Sequence, residues 1–530
     1  MTGTVPTLMV LLAVIAAVAV LAQRLNTAPS IFLVIAGVGL ALVPGLPPVT
    51  LAPETALLVF LPPLIYSAGV AMSWREFREN LAPISLLAFG CVVFTTCAVA
   101  AAAHYLLGME WAVGFVLGAI VAPPDVVAPL ALARRLGLPR RLLVILEGEG
   151  LANDATALIL YRFAVAAVAT GVFSLPQATA TFALIVVGEI AFGIGIGWLS
   201  LRLRFYAGNP RIELILSLLT PYFAYWVPAH LGGSGVLATV ACGLYVSWVG
   251  PRLISSATRL QGIFFWDLLI YLIEGFVFLV TGLQARTLIE RTHGFSLGDL
   301  LAATAIVTAI VILARFAWIF STYYMPLELW RHRGTANWKY PFLLSFTGVR
   351  GVVSLAVALA LPYLTADGTP FIQREVILFI TFGVIIATLV GQGLMLPAVI
   401  GWLGLAREGR AEQRRDKVAE LAARYDAVQA AYDHLERIGK ERKLSPGVMA
   451  LLRERHEHRV KQLPDNLDEA LPVALLNADV QLELIAAERE FLYRLLRDGK
   501  LTDEARRRIE RELDLEEAMI ETRRSDRTPL

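Results

Sequence analysis

Charge is scarce in the first three quarters of this 530-residue sequence. Residues 1–403 contain 21 basic and 17 acidic side chains, about 9% of that stretch. A domain that folds in water needs many more charged residues on its surface. This part of the chain is therefore not an ordinary soluble domain, and its apolar character indicates a membrane.

Cysteine is also scarce, and the net charge is close to zero. The three cysteines, Cys91, Cys97 and Cys242, lie inside apolar runs and predict neither a disulfide framework nor a CxxC metal site. A formal net charge of +2 lacks the basic excess of a nucleic-acid-binding protein, so we expect no nucleic-acid partner. The sequence also lacks a nucleotide loop, a haem site and a hydrolytic triad in a plausible context. We expect no cofactor and no enzymatic activity.

Long apolar runs fill the charge-poor part. A transmembrane helix needs roughly 20 mostly apolar residues, and thirteen such runs occur, at about 5–22, 28–44, 54–72, 81–105, 110–133, 140–170, 178–203, 211–230, 233–250, 262–284, 298–325, 341–364 and 374–403. With the N-terminus outside, the cytoplasmic loops hold fifteen Arg and Lys residues and the outer loops hold three. A miscounted helix would invert the later loops and remove this bias. We predict an all-α transmembrane domain at 1–403 with about 13 spans and the N-terminus outside.

The composition changes after residue 403. Residues 404–530 contain 25 basic and 27 acidic side chains, about 41% of the stretch, with apolar residues at helical spacing in 412–438 and 480–521. Such a segment does not span a bilayer, so we predict a cytosolic helical tail at 404–530. Its role is open between regulation, dimer contact and a solubilising appendage.

A few charges fall deep inside predicted spans. Asp125 lies in the fifth, Glu149 and Asp154 lie in the sixth, and Arg350 lies in the twelfth. From the helix rise, Asp125 and Glu149 lie roughly 13 Å from the cytosolic side and Asp154 about 21 Å. Ionisable groups at such depth are costly and mark ion pathways or partners. A structural alternative is that Asp154 pairs with Arg350 or Arg162 to hold helices together, and for Glu149 a structural role is as good an interpretation as a functional one. The other deep candidates are Glu189, Glu274, Arg162 and Arg315.

Two spans are interrupted near their centres. Pro123 and Pro124 remove two amide donors from the fifth, and Gly348 and Gly351 flank Arg350 in the twelfth. Paired broken helices mark transporter binding sites, and an offset of seven spans makes these two run in opposite directions, as inverted repeats require. Two ordinary kinks are the alternative. In the sixth span, Gly150 shares a helical face with Asp154 and predicts open space beside it, with room for water or an ion.

Four segments occur in the order of a known family: FLPPLIYSAG (60–69), GAIVAPPD (118–125), EGLAND (149–154) and GVRG (348–351). In them, residues 1–403 resemble the sodium/proton exchanger (NHE/NhaP-type) branch of the monovalent cation:proton antiporters. The resemblance implies a core in which two broken helices cross beside the ion site, and a dimerisation domain, hence a homodimer. It implies that Asp154 is the main carrier of cation and proton, with Asp125 and Glu149 nearby. Asn153, where electrogenic relatives carry a second aspartate, implies electroneutral exchange.

Four positions depart from the family pattern. Pro124 stands where a threonine is usual and Gly150 where a serine is usual, so two hydroxyl groups that could touch the ion are missing. Ser67 replaces a common acid in the third span, and Glu274 replaces a common asparagine in the tenth. These changes put ion selectivity in doubt.

We therefore expect a secondary transporter that exchanges Na⁺ for H⁺ by alternating access, in contact with lipid, in a bacterial inner (plasma) membrane. Asp154 and Asp125 are the expected cation (metal) ligands, together with carbonyls at 121–124, because hard cations prefer oxygen. Arg350 is expected to hold Glu149 and to compensate the converging helix ends. A K⁺/H⁺ antiporter, with Li⁺ a further candidate cation, is the alternative in the same class. An organic-ion carrier, with Arg350 binding an anion, and a pH sensor acting through the tail are more distant alternatives.

Overall fold

The chain is helical in a computed structural model. The structure describes residues 4–25, 28–43, 53–171, 174–291, 296–324, 337–363, 371, 373–442, 444–461, 467–498 and 503–525. Within these ranges every regular element is a helix. The chain divides into two compact units, Met1–Ala406 and Arg407–Leu530.

The first unit begins with eight α-helices and one π-helical segment, π1: α1 (Thr4–Arg24), α2 (Pro29–Ala41), α3 (Pro53–Ala71), α4 (Trp74–Glu79), α5 (Leu81–Ser85), π1 (Leu86–Cys91), α6 (Val92–Leu107), α7 (Trp111–Val121) and α8 (Val127–Arg135). It continues with α9 (Arg140–Thr170), α10 (Leu175–Ala207), α11 (Pro210–His230), α12 (Val236–Leu253), α13 (Ser256–Arg291), α14 (Leu297–Tyr324), α15 (Lys339–Phe346), α16 (Val352–Leu359), α17 (Arg374–Ile386), π2 (Ala387–Gln392) and α18 (Gly393–Leu403).

The apolar helices agree with an all-α membrane protein, as predicted. Among the described residues, eight continuous helices are long and apolar enough to cross a membrane, and four apolar helices are shorter. Each of the thirteen predicted runs coincides with one helix or with consecutive helices of this series. The number of membrane crossings stays a prediction.

Both predicted interruptions are present. The fifth run consists of α7 and α8, with a break between residues 121 and 127, and the twelfth consists of α15 and α16, with a break between residues 346 and 352. The two breaks meet, because the backbone N–H of Asp125 donates to the carbonyl of Val349 at 2.7 Å. Proline has no amide hydrogen and clashes with the preceding turn, so Pro123 and Pro124 account for the end of α7.

Glycine lets α10 pack closely on α12. A Cβ atom added to Gly193 would overlap the carbonyl oxygen of Ala238, and one added to Gly197 would lie 3.1 Å from the carbonyl oxygen of Cys242. The spacing of four residues places both glycines on one face of α10. Small residues at such a face are typical of close helix contacts in membranes.

The second unit contains α19 (Leu405–Glu441) except for its first two residues, and α20 (Pro446–Lys461), α21 (Leu467–Arg497) and α22 (Asp503–Ser525). On α19, Glu436 accepts two hydrogen bonds from Arg453 of α20, at 2.6 and 2.8 Å, and these bonds lower the pKa of the Glu436 carboxyl. Helices α21 and α22 share a small apolar core made of Ile485, Leu492, Leu513 and Ile520. The helical character predicted for the tail is confirmed.

Replacement of Gly193 by alanine tests the contact between α10 and α12. We expect Gly193→Ala to lower the free energy of unfolding by about 1–3 kcal/mol, because the added methyl group meets backbone that cannot rotate away. Thermal unfolding in detergent measures this. Gly195→Ala is the matched control, since nothing lies within 4 Å of a Cβ there. Equal melting temperatures for the two variants would contradict the close contact.

Candidate cation and proton site

Hydrogen bonds between backbone and side chains hold the crossing together. The amide Nδ2 of Asn153, on α9, donates to the carbonyl of Pro124 at 2.7 Å. The Nε of Arg350 donates to the carbonyl of Val121 at 2.6 Å. Helix α9 and the second break are therefore both bound to the unwound segment between α7 and α8, so the crossing brings together three of the sequence motifs.

The Asp125 carboxylate lies at the start of two half-helices. Its Oδ1 accepts the backbone N–H of Val127, the first residue of α8, at 2.9 Å. A Cβ atom at Gly351, the residue before α16, would overlap the same carboxylate. Helix N-termini favour negative charge. The structure thus places an acidic group where two N-termini converge, and Gly351 is required for its close approach.

Asp154 is partly exposed and lies one turn after Gly150 on α9. Its charge and that of Asp125 are close enough to repel each other. Within the described ranges, its carboxylate makes neither a hydrogen bond nor an ion pair, so the alternative in which Asp154 pairs with Arg350 or Arg162 is not what the structure has. Arg162 is exposed.

The expectation of open space at Gly150 is wrong. A Cβ atom there would overlap Cγ2 of Val126, so the side chain of Val126 fills the notch that glycine leaves on α9. The helical spacing within α9 correctly placed Gly150 and Asp154 on one face, but it contains no information about a side chain arriving from another span. Gly150 is therefore a packing position against the first break.

The expectation that Arg350 holds Glu149 is also wrong. Arg315, on α14, binds Glu149 with two hydrogen bonds, from Nη1 at 2.5 Å and from Nη2 at 2.8 Å. The two side chains are 1% and 0% exposed, so the pair is fully enclosed by protein. Arg350 instead donates to the carbonyls of Val121 and Gly348. The sequence identified Arg315 as a deep charge, but no spacing rule linked it to a residue 166 positions away.

Each of these arginines lies at the carbonyl end of a half-helix. Arg350 donates to Val121, the last residue of α7, and Arg315 donates from Nε to the carbonyl of Leu344, in the last turn of α15, at 3.0 Å. A helix C-terminus carries partial negative charge that a cation stabilises. This geometry supports the predicted charge-compensating role of Arg350 and gives the same role to Arg315, which the sequence reasoning listed only as a deep charge.

Two further polar groups, Asn153 and Glu274, lie near the crossing, whereas Glu189 does not belong to it. Asn153 is fully buried, and its Oδ1 has no hydrogen-bond partner among the described residues. Glu274, on α13, lies close enough to Asp125 for their charges to interact. Glu189 has a separate structural role, because its carboxylate accepts the backbone N–H groups of Ser234, Gly235 and Leu237 at the start of α12. Neither acid forms an ion pair with Arg162 in the part of the chain that is described.

Two crossing broken helices with carboxylates beside the crossing define the class of ion-coupled secondary transporters. The profile of the transmembrane sodium/hydrogen exchanger family matches residues 10–402. The chain belongs to this family, and its function is the exchange of a monovalent cation for protons across a membrane.

The relatives agree with this assignment. An uncharacterized Na⁺/H⁺ exchanger of Mycobacterium tuberculosis is 34% identical over 98% of this chain and 97% of its own length. A sodium, potassium, lithium and rubidium/H⁺ antiporter of Bacillus pumilus is 33% identical over 66% of this chain and 54% of its own length. Among solved structures, the sodium proton antiporter MjNhaP1 of Methanocaldococcus jannaschii at pH 8 has the same fold, with a TM-score of 0.59 and 18% identity over 76% of this chain and 97% of that one.

The buried pair of Glu149 and Arg315 can be tested by removing one charge. We expect Glu149→Gln to destabilise the protein by about 3–5 kcal/mol, because it leaves an uncompensated guanidinium inside the membrane domain. Glu147→Gln is the control on the same helix, since Glu147 pairs with the exposed Arg134 and such pairs contribute under about 1 kcal/mol. Melting temperatures in detergent measure both variants. An equal drop for Glu149→Gln and Glu147→Gln would contradict the larger contribution of the buried pair.

Proposed function

We propose that this exchanger moves Na⁺ against H⁺, with Asp154 as the shared carrier and Asp125 as the second ligand. The observation that carries the proposal is the difference among the deep carboxylates. Glu149 is held by Arg315 and Glu189 by backbone N–H groups, whereas the carboxylates of Asp154 and Glu274 form no such bond among the described residues. Of these two, Asp154 lies on α9 next to Asn153, whose amide binds the unwound segment at Pro124. A carboxylate that is free of protein partners can exchange a bound cation for a proton.

The neighbourhood of Asp154 suits a small hard cation. Such ions prefer oxygen ligands, as the harder divalent cations do. Asp154, Asp125 and the carbonyls of the unwound segment 121–124 supply oxygen, and each carbonyl has a second lone pair beyond the one that a hydrogen bond uses. The buried Oδ1 of Asn153, without a partner in the described residues, is a further oxygen in this region.

Exchange on this basis is electroneutral. One carboxylate holds either one monovalent cation or one proton. One positive charge therefore crosses in each direction per cycle, and no net charge is moved. Asn153, beside Asp154 in the sequence, is neutral and adds no second exchangeable charge. Movement of the crossing relative to the rest of the membrane domain would expose Asp154 to each side in turn.

Potassium is the second candidate cation. The Bacillus pumilus relative is named for transport of sodium, potassium, lithium and rubidium. In this chain Pro124 and Gly150 offer no hydroxyl ligand, which leaves the selectivity to the two carboxylates and the backbone.

We propose the topology that the loop charges predict, with the N-terminus outside and the segment after residue 403 in the cytosol. Residues 1–403 then form the transport domain and 404–530 a cytosolic appendage. A homodimer in a bacterial inner membrane is the proposed assembly.

Loss of the carrier tests the central assignment. In everted vesicles with an imposed proton gradient, addition of Na⁺ should collapse the gradient for the unaltered protein and for Glu110→Gln, a control that neutralises an exposed acid just before α7. Asp154→Asn should show no response to Li⁺, Na⁺ or K⁺. Sodium-dependent collapse of the gradient by the Asp154→Asn protein would disprove the carrier role of Asp154. A response of the unaltered protein to K⁺ but not to Na⁺ would establish potassium as the substrate.

Competition between cation and proton predicts a pH dependence. Protons occupy the carrier as pH falls, so the apparent KM for Na⁺ should rise by up to about tenfold per pH unit on the acidic side of the profile. The maximal rate at saturating Na⁺ should change much less. Initial rates at several pH values and Na⁺ concentrations measure both, and an apparent KM that does not depend on pH would contradict a shared site.

A further inference from the structure

The last apolar helix of the membrane domain contains a π-helical segment next to the second break. Segment π2 (Ala387–Gln392) interrupts the α-helical pattern between α17 and α18. Thr388 lies in it and is 0% exposed. Single-turn π segments inside α-helices are uncommon and occur frequently at functional sites.

The Thr388 hydroxyl both donates and accepts a hydrogen bond. Its proton is donated to the carbonyl of Val384, in its own helix, at 2.8 Å. This orientation leaves a lone pair of Oγ1 directed away from the helix, where it accepts the backbone N–H of Arg350 at 2.9 Å. A threonine hydroxyl can do both at once because it is one donor and two acceptors.

This hydrogen bond replaces one that the broken helix does not provide. An amide in the second break has no carbonyl of the preceding turn to donate to, and the membrane interior offers no water in its place. A buried amide without a partner is costly. Among the described residues, Thr388 is the hydrogen-bond acceptor that the structure gives to the Arg350 N–H.

The bond lies one residue from the contact between the two breaks. The carbonyl of Val349 accepts the N–H of Asp125, and the Arg350 side chain reaches Val121. Fixing the Arg350 backbone therefore fixes the segment against which the Asp125 carboxylate rests. We propose that Thr388 is a positioning residue for cation exchange: it holds the second break in register, and through it the Asp125 carboxylate opposite Asp154.

The first π segment makes an analogous connection. In π1 the carbonyl of Leu86 accepts the indole N–H of Trp318 at 3.0 Å. Trp318 lies on α14, three residues after Arg315. The side chain of Arg315 binds the carbonyl of Leu344, in the last turn of α15. Each π segment thus binds a part of the chain that carries a buried arginine. In π2 the Thr388 hydroxyl binds the backbone of Arg350, and in π1 the Leu86 carbonyl binds the helix of Arg315.

This inference rests on the proposed function and adds a residue that touches neither cation nor proton. Thr388→Val keeps the shape and removes the hydroxyl. We expect it to raise the apparent KM for Na⁺ by about tenfold, the effect of one lost buried hydrogen bond, and to shift the pH profile of exchange. Thr388→Ser, which keeps the hydroxyl, should stay within about twofold of the unaltered protein.

Thr381→Val is the matched control. Thr381 lies on the same helix, is 0% exposed, and its hydroxyl has no hydrogen-bond partner in the described residues. Its substitution should leave the apparent KM and the pH profile unchanged. Should Thr388→Val not be recovered in folded form, Thr388→Ala replaces it with the same expectation.

Three results would overturn the inference. They are an unaltered KM and pH profile in Thr388→Val, an equal change in Thr381→Val, and a rise of the KM in Thr388→Ser as large as that in Thr388→Val. The outcome for Asp154→Asn is independent of all three. Exchange that persists in Asp154→Asn overturns the carrier assignment, whereas a Thr388→Val protein that behaves normally overturns only the positioning role.

Discussion

The membrane domain depends on one constraint: backbone broken at membrane depth must find its hydrogen bonds inside the protein. The interior of a bilayer contains no water to replace them, and each unsatisfied group costs several kcal/mol. Two helices are broken here, and their unwound segments meet at the hydrogen bond from Asp125 to Val349. Asn153, Arg350 and Thr388 each supply a further bond to these segments. The crossing is therefore held by polar groups from several spans.

The same constraint explains where the buried charges lie. Four half-helix ends converge, and each carries a partial charge that the membrane does not screen. The Asp125 carboxylate lies at the two N-terminal ends, while Arg350 and Arg315 lie at the two carbonyl ends. Arg315 also neutralises Glu149, so a single guanidinium stabilises both a helix end and a buried acid. Glu149, Arg315 and Arg350 are therefore held in structural contacts, which Asp154 does not make among the described residues.

Sequence reasoning was reliable where the information is local. Apolar runs of sufficient length predicted the helices, and Pro123, Pro124 and the glycines beside Arg350 predicted both breaks. The helix rise predicted that Asp125, Glu149 and Asp154 lie well inside their spans, because each depth could be counted from an arginine near the span end.

The failures have a common physical origin. The partner of Glu149, the side chain that fills the notch at Gly150, and the acceptor for the Arg350 amide all come from other spans. Each depends on which helices become neighbours and how they rotate, and periodicity within one helix does not encode either. Arg315 and Arg350 are both deep, both basic and both near glycine or apolar residues, so composition alone does not distinguish the partner of an acid from a cap on a helix.

Glu274 shows how a departure from the family pattern can be accommodated. Where the family resemblance leads us to expect an acid in the third span the chain has Ser67, and where it leads us to expect asparagine in the tenth the chain has Glu274, whose charge interacts with that of Asp125. The added acid comes from a different helix, yet it lies near the carboxylate that two helix N-termini already stabilise. The two acids repel each other when both are charged, and the partial positive charges of the helix N-termini offset part of that repulsion at Asp125. The positions of the helix N-termini thus affect where the fold can accept another carboxylate.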